Sequence, residues 1–209
     1  ASVKEYNMPN NYRVTTINSK TNNANIIFRI TTDNTFNGKP SAEFVLDKIL
    51  DEGSIFKNQE EFKTDIAKDG IESSIGIAYD TISAANTCNS DDLQKALKST
   101  QEVIENPRFT NEEFEHAKAE IKEALLTADK SAYDKLSNEL YKGLQAGYSK
   151  EEILKDLETL TIDDVKALYD YTIKNGKGEL SISAPFERKP ELNKVLFNTL
   201  GEFKSVTPH

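Results

Sequence analysis

Cysteine is nearly absent from this chain of 209 residues, since Cys88 is the only one. No internal disulfide can therefore form. A chain of this length buries about 70% of its unfolded surface, so it needs neither a disulfide nor a metal ion to fold. Long apolar runs are also lacking, because none reaches the roughly 18 residues that cross a bilayer. The opening residues lack the basic and apolar stretches of a signal peptide, and the first residue is Ala1 rather than Met. We expect a fragment or a processed form.

Positive charge is also scarce. The sequence has 26 Lys and Arg against 35 Asp and Glu, which gives a net charge of −9. An acidic chain repels phosphate backbones and anionic lipid headgroups, so nucleic-acid and membrane-surface partners are disfavoured. The compartment stays open between bacterial cytoplasm and periplasm, because many exported bacterial proteins also lack disulfides.

Histidine is too scarce to supply a zinc site. The chain contains only His116 and His209, far apart in sequence, and His209 is the last residue, where chains commonly fray. Cys88 has no neighbour at metal-ligand spacing. We therefore predict no metal site in this chain. His116 stands beside Glu115 and Glu120, and a lone histidine of this kind is more typical of a helix surface than of a metal or acid–base site.

Other candidate sites are weak on the same kind of argument. Cys88 has no assignable histidine partner, so a small buried side chain is a better interpretation than a nucleophile. Asp47 and Asp51 lie one helical turn apart and could form a glycosidase-like pair, but 35 acids produce many such pairs by chance. Packing is the default role for five tyrosines that could otherwise line a peptide-binding surface. They are Tyr133, Tyr141, Tyr148, Tyr169 and Tyr171.

The hydrophobic pattern predicts strands at both ends of the chain and a hairpin between them. Apolar residues alternate with polar ones around Val14, around Phe28 and again around Ile182, which is typical of half-buried strands. Residues 72–88 alternate in the same way on both sides of Asp80-Thr81 and predict a hairpin. A short strand is expected at the end of the chain, near Phe203 and Val206.

Helical spacing dominates the remaining segments. Ser41 is predicted to cap a helix that carries Phe44 to Leu50, with Gly53 as its C-cap. Further helices are predicted over residues 93–103, 110–128 and 133–147, and around Leu192. Four pairs have the spacing of a capping box or helix start. They are Asn58/Glu61, Thr110/Glu113, Ser149/Glu152 and Thr161/Asp164.

The order of these elements predicts one domain over residues 1–209. Helices are grouped rather than alternating strictly with strands, which indicates an α+β fold, an α/β sandwich. We expect a mostly antiparallel or mixed sheet with long helices packed on one face. No linker rich in proline, glycine or serine divides the chain.

Three blocks of sequence, in this order, resemble the pitrilysin/insulinase family of metallopeptidases. They are ILDEGSIFKNQEEF, KDGIESSIGIAYDTISAANTC and LQKALKSTQEVIENPRFTNEEFEHAKAEI. The helix ending in Gly53-Ser54, the hairpin and the Pro107, Phe109 and Phe114 entry into a long helix are similar to the family's pattern. So is DLETLTIDDVKALYDYTI followed by LSISAPF. The family also includes mitochondrial processing peptidase and the core proteins of a respiratory complex.

The resemblance implies where zinc chemistry would lie, and the required residues are missing. Catalytic domains of the family use an inverted motif, His-x-x-Glu-His, in which two histidines hold zinc and the glutamate activates water. Counting back from Gly53-Ser54, these three positions hold Phe44, Asp47 and Lys48. The family's substrate-binding Arg and Tyr, seven residues apart, are also absent, since Lys63 and Gly70 stand near those positions.

The resemblance therefore implies a non-catalytic domain, similar to the third domain of a four-domain zinc metalloendopeptidase. Such a domain helps form a closed peptide-binding chamber, with zinc held in a separate catalytic domain of the same chain or of a partner chain. Two alternatives stay open. The chain could be a structural or binding module with no peptidase in its parent, or the inactive subunit of a two-chain peptidase.

Overall fold

The computed structural model describes residues 2–8, 12–33, 36, 38–140 and 147–201. Within them a mixed sheet forms one layer of the fold. Its strands are β1 (Val3–Met8), β2 (Tyr12–Asn18), β3 (Asn23–Thr31), β4 (Glu72–Ala78), β5 (Thr81–Asn89) and β6 (Lys177–Ala184).

The six described strands lie in the order β1-β2-β6-β3-β5-β4. Of the strand pairs that the structure describes, β2–β6 is parallel and the others are antiparallel. In register, Ile26 stands between Asn86 and Ile182, and Phe28 stands between Ala84 and Leu180. β1 and β4 are the two edges of this sheet. The predicted mostly antiparallel or mixed sheet is confirmed.

Alternation along each strand separates the sheet into a buried and an open face. On β3, Ile26, Phe28 and Ile30 are buried, whereas Asn25 and Arg29 between them are exposed. Because successive side chains point to opposite faces, every helix that uses the apolar side chains packs on the same side. No helix of the described residues buries the other face.

Eight α-helices of the described residues follow the predicted grouping. They are α1 (Ser41–Leu50), α2 (Gln59–Ala67), α3 (Leu93–Glu105), α4 (Asn111–Thr127), α5 (Lys130–Leu140), α6 (Lys150–Thr159), α7 (Ile162–Asn175) and α8 (Glu191–Leu200). None of the helices in the described part of the chain combines the length and apolarity needed to cross a membrane.

The buried apolar side chains form two clusters on the helix side of the sheet. The first joins the central strands to α2, α3 and α8 and includes Phe28 and Leu97. The second surrounds α1 at the β4 end of the sheet and takes in α4, α6 and α7, with Phe44 and Leu125 among its members. One-sided packing of helices on the sheet confirms the predicted α+β class.

The structure differs from the sequence prediction at one strand, one helix end and one turn. β1 was not predicted, because only Tyr6 and Met8 of its side chains are half-buried and the rest are exposed. Helix α1 ends at Leu50 with Asp51, not Gly53, as its C-cap. Gly53 has a φ of 91° and forms a β-bridge with Asn58 instead. The hairpin turns at Tyr79-Asp80, one residue earlier than expected, and both residues have positive φ.

The helix starts follow the predicted pairs with two exceptions. The boxes at Asn58, Ser149 and Thr161 are complete. Thr110 accepts from the Glu113 backbone N–H, but the Glu113 carboxylate turns to Arg108 and leaves that box half made. Ser41 does not cap α1, since Pro40 holds the N-cap position. The predicted end strand near Phe203 and Val206, and the helix beyond residue 140, lie outside the described residues.

Candidate functional site

Helix α1 carries the positions where the family places its zinc motif, and it is buried on nearly every side. Of its ten residues, only Asp47 and Lys48 are not fully buried. Apolar residues therefore run almost all round this helix, which is typical of a helix enclosed by a core. The β4 edge, α4, α6 and α7 pack around it.

The three zinc-motif positions are engaged in packing and hydrogen bonding. Phe44 is 1% exposed and belongs to the cluster around α1. Lys48 is exposed. Asp47 is half-buried, and its Oδ1 accepts from the Ile77 backbone N–H at 3.0 Å. An aromatic ring supplies no electron pair for zinc, and the Asp47 carboxylate is held by its hydrogen bond to the sheet.

Gly76 allows Asp47 to reach the backbone of β4. A Cβ on Gly76 would collide with Asp47 Oδ1. With no side chain there, the carboxylate lies against the strand and accepts the Ile77 N–H. Burial raises the pKa of Asp47 above its ordinary value, and that hydrogen bond and Lys48 act in the opposite direction.

A second carboxyl of α1, that of Glu43, is buried against the hairpin turn. Glu43 is 3% exposed and Asp80 is 7% exposed. The side chain and backbone of Asp80 both hydrogen-bond the Glu43 carboxyl, and Glu43 Oε2 has no partner. Burial, the Asp80 hydrogen bond and the negative charges of Asp80 and Asp47 raise the pKa of Glu43 to about 9. The carboxyl is therefore protonated at neutral pH.

The turn that presents Asp80 is fixed from the neighbouring strand. Tyr79 and Asp80 have φ of 54° and 59°, the pair of left-handed residues that a two-residue hairpin turn requires. Thr32 donates to the Asp80 carbonyl oxygen from its backbone N–H at 3.1 Å and from its hydroxyl at 3.2 Å. The aspartate side chain is thus held toward α1.

The start of α1 is capped from a distant helix. Asp156 of α6 accepts from the Ser41 backbone N–H at 3.0 Å and from the Ser41 hydroxyl. Backbone N–H groups of a first helical turn need such acceptors, and a carboxylate also complements the positive end of the helix dipole. Sequence reasoning missed this contact, because the partners stand 115 positions apart.

His116 is part of the only group of three metal-ligating side chains found among the described residues. Ligand atoms of Glu52, Glu113 and His116 lie within 4.8 Å of one another. His116 Nε2 lies 3.4 Å from Glu120, and Arg108 donates to Glu113 at 3.3 Å. Burial, followed by the charge of Glu113, raises the pKa of Glu52. The donors suit a divalent cation, but Glu113 and His116 already have partners within the chain.

The remaining sequence candidates are separated from one another. Cys88 is buried in the core, and burial raises the pKa of its thiol to about 11, so it is a poor nucleophile. Asp51 accepts from Gln59 and lies 3.5 Å from Lys63, whereas Asp47 bonds Ile77, so the two aspartates do not converge.

Two of the five tyrosines pack in the core as predicted. Tyr133 and Tyr169 are 5% and 9% exposed. The Tyr133 hydroxyl donates to the Tyr148 carbonyl oxygen, and that of Tyr169 donates to the Ile104 carbonyl oxygen. Tyr141 lies outside the described residues.

Comparisons with known proteins identify the family of this chain. The family model of insulinase, peptidase family M16, matches residues 42–152. No curated protein matches the sequence. The chain belongs to the insulinase family, peptidase family M16.

Solved structures show the same fold at low sequence identity. A protease from Helicobacter pylori is 14% identical with a TM-score of 0.76, and the match covers 97% of this chain and 51% of that one. A peptidase M16 inactive domain from Pseudomonas fluorescens is 16% identical with a TM-score of 0.76, covering 98% and 52%. A conserved protein from Enterococcus faecalis is 16% identical with a TM-score of 0.74, covering 98% and 53%. The chain spans about half the length of these proteins.

Proposed function

We propose that the chain is a non-catalytic domain of a zinc metalloendopeptidase and helps form its closed peptide-binding chamber. The observation that carries this proposal is the burial and hydrogen bonding of the helix α1 side chains. The family's fold is kept around it, while Phe44 is buried in the core, Lys48 is exposed and Asp47 accepts a hydrogen bond from the sheet. The zinc that the reaction needs would be held by a separate catalytic domain, in the same chain or in a partner chain.

The open face of the sheet is the surface that would wall the chamber. Its central row is formed by Ile27 on β3, Ala85 on β5 and Ser181 on β6, which stand side by side in register. Ala85 and Ser181 are small side chains on either side of the larger Ile27, so this row leaves space above the sheet in which an extended peptide can lie. This supports peptide contact at the sheet rather than at a deep pocket of this domain.

Zinc analysis and a peptidase assay of the purified chain test the absence of catalysis. After dialysis against a chelator and then against buffer with trace zinc, we expect less than stoichiometric zinc and no cleavage of unstructured peptides. One tightly held zinc per chain, or turnover by the purified chain, would contradict the proposal.

A matched pair of variants tests the role in the chamber. In a complex with the catalytic domain, Ala85→Arg places a bulky charge on the open face and is expected to lower peptide hydrolysis about tenfold. Ala119→Arg makes the same change at an exposed position of α4 and is expected to leave hydrolysis unchanged. Equal effects of the two changes would show that the open face does not line the chamber.

The alternatives differ in what accompanies the chain. A His-x-x-Glu-His helix elsewhere in the same gene supports an internal catalytic domain, and one in a separate bound chain supports an inactive subunit. A structural or binding module would have neither, and the full-length protein would then cleave no peptide.

A further inference from the structure

Two adjacent apolar side chains stand in solvent on the loop between α1 and α2. Ile55 is 55% exposed and Phe56 is 65% exposed. Large apolar side chains exposed singly are common on protein surfaces and need no explanation. A consecutive pair, on the loop that follows the nearly fully buried helix α1, needs a physical cause.

The backbone of this loop is held firmly, so the exposure is built in. The Ser54 N–H donates to the Lys57 carbonyl oxygen at 2.8 Å, and the Ile55 N–H donates to the Asn106 carbonyl oxygen at 3.1 Å. The Arg108 guanidinium donates to the Ser54 carbonyl oxygen at 2.9 Å. These bonds tie the loop to the α3–α4 connection.

The Ser54 side chain and Gly53 complete the framework. The Ser54 hydroxyl donates to Glu102 at 3.0 Å and accepts from the Phe56 N–H at 3.1 Å. Gly53 has φ of 91° and lies so close to the Lys57 and Asn58 backbone that a Cβ would collide with it. The loop cannot fold the two side chains inward without breaking this network.

Charged side chains lie on both sides of the pair. Lys57 lies 3.2 Å from Asp65, and Arg108 lies 3.3 Å from Glu113. An apolar centre with a paired polar rim, held in one conformation, is the arrangement found at energetically dominant positions of protein interfaces. Because the backbone is already ordered, little further entropy is lost on binding.

We propose that the Ile55-Phe56 loop is a docking surface for the catalytic domain that the proposed function requires. The occupant is inferred from the relatives, since solved structures of this fold are about twice as long as this chain and therefore contain roughly as much protein again. The loop is hydrogen-bonded to the α3–α4 connection, so it is a different surface from the open face of the sheet. The inference rests on the proposed function, and it assigns the loop to the partner domain rather than to substrate.

The test is a binding measurement with matched variants. The probe is a purified domain of the family that carries His-x-x-Glu-His and is encoded in the same gene or a neighbouring gene. Ile55→Ser/Phe56→Ser is expected to raise the Kd at least about tenfold, since two anchor side chains are lost. Leu126→Ser is the control, because Leu126 is 59% exposed on α4, away from the loop. It is expected to change the Kd less than about twofold.

The possible outcomes separate this inference from the proposed function. If the wild-type chain does not bind the probe, the pairing itself is wrong. If the wild-type chain binds and the loop variant binds equally well, the pairing stands but the assignment of the loop as its docking surface is wrong. Sedimentation of the wild-type chain alone adds a further check, because self-association abolished by the loop variant would assign the loop to a second copy and overturn the inference. Thermal unfolding of both variants, expected to match the wild type, shows that neither change acts through misfolding.

Discussion

The Glu43 carboxyl lies in a position where a charge is costly. It is 3% exposed, faces Asp80 and has Asp47 one helical turn further along α1. In the unfolded chain the group ionises near its ordinary pKa of 4.5, whereas in the folded chain it keeps its proton to about pH 9. Between these values the folded state binds one proton more than the unfolded state. Stability is therefore fully present below about pH 4.5 and is lost as pH rises toward 9.

Replacing Glu43 with glutamine should remove this pH dependence. We expect the wild-type free energy of unfolding to carry a Glu43 contribution that falls by up to about 1.4 kcal/mol per pH unit over that window. Glu43→Gln should lack it, so the difference between the two proteins changes with pH. Urea unfolding at pH 5.5, 7 and 8.5 measures this, with the exposed Glu115→Gln as control. Parallel curves for wild type and Glu43→Gln would show that the carboxyl titrates normally.

The contact between Asp47 and the sheet depends on Gly76. A side chain at position 76 would displace the Asp47 carboxylate, because its Cβ would collide with Oδ1. We expect Gly76→Ala to cost about 1–3 kcal/mol in the wild-type background, as overpacking does, and clearly less in Asp47→Ala. A double-mutant cycle of urea unfolding gives the coupling. Additive effects would mean that the carboxylate does not constrain this position.

For single residues, the sequence shows which side chain stands at a motif position but not which distant groups that side chain contacts. That Phe44 and Lys48 stand at the family's zinc-motif positions is a prediction from residue identity and motif spacing. The partners of Asp47 and Glu43 could not be predicted in this way, because Ile77 and Asp80 approach α1 only after the hairpin has packed on it. A lone carboxyl in a sequence gives no indication of which distant backbone it will face.

At the scale of elements, α1 depends on α6 for its first hydrogen bonds. Asp156 accepts both from the backbone and from the hydroxyl of Ser41. We expect Asp156→Ala to lower the free energy of unfolding by about 0.5–2 kcal/mol, as loss of an N-cap does. Glu158→Ala, an exposed change on the same helix, should have an effect within about 0.5 kcal/mol. Chemical denaturation measures both, and equal small losses would show that water replaces the cap.

Elements were predicted where the residues that indicate them lie close together in the sequence, and they were missed where those residues lie far apart. The helix starts at Asn58, Ser149 and Thr161 were predicted because both members of each pair lie within one turn. β1 escaped prediction because it is an edge strand, held mainly by its backbone pairing to β2 rather than by a buried face. The Asp156 cap on α1 escaped for the same reason as the residue contacts, since it forms only in the assembled fold.

At the scale of the whole molecule, one-sided burial explains both what was predicted and what was not. Period-two alternation identifies β2, β3, β4, β5 and β6 and fixes which side faces the helices. It does not identify strand order, and the parallel β2–β6 pair joins segments from opposite ends of the chain. That pairing joins the strands from both ends of the chain in one layer.

The enclosed core also determines whether the zinc motif can be restored. Rebuilding it with Phe44→His/Lys48→His would replace a fully buried ring by a polar imidazole in the cluster around α1. We expect a loss of about 3–5 kcal/mol in the free energy of unfolding, as for other buried phenylalanines, and no stoichiometric zinc. Lys48→His alone, at an exposed position, should cost less than about 0.5 kcal/mol. Urea unfolding and a zinc titration of both variants decide the matter. A double variant with wild-type stability and one bound zinc would mean that the fold still accommodates a zinc site on α1, whereas the expected loss means that the packed core excludes one.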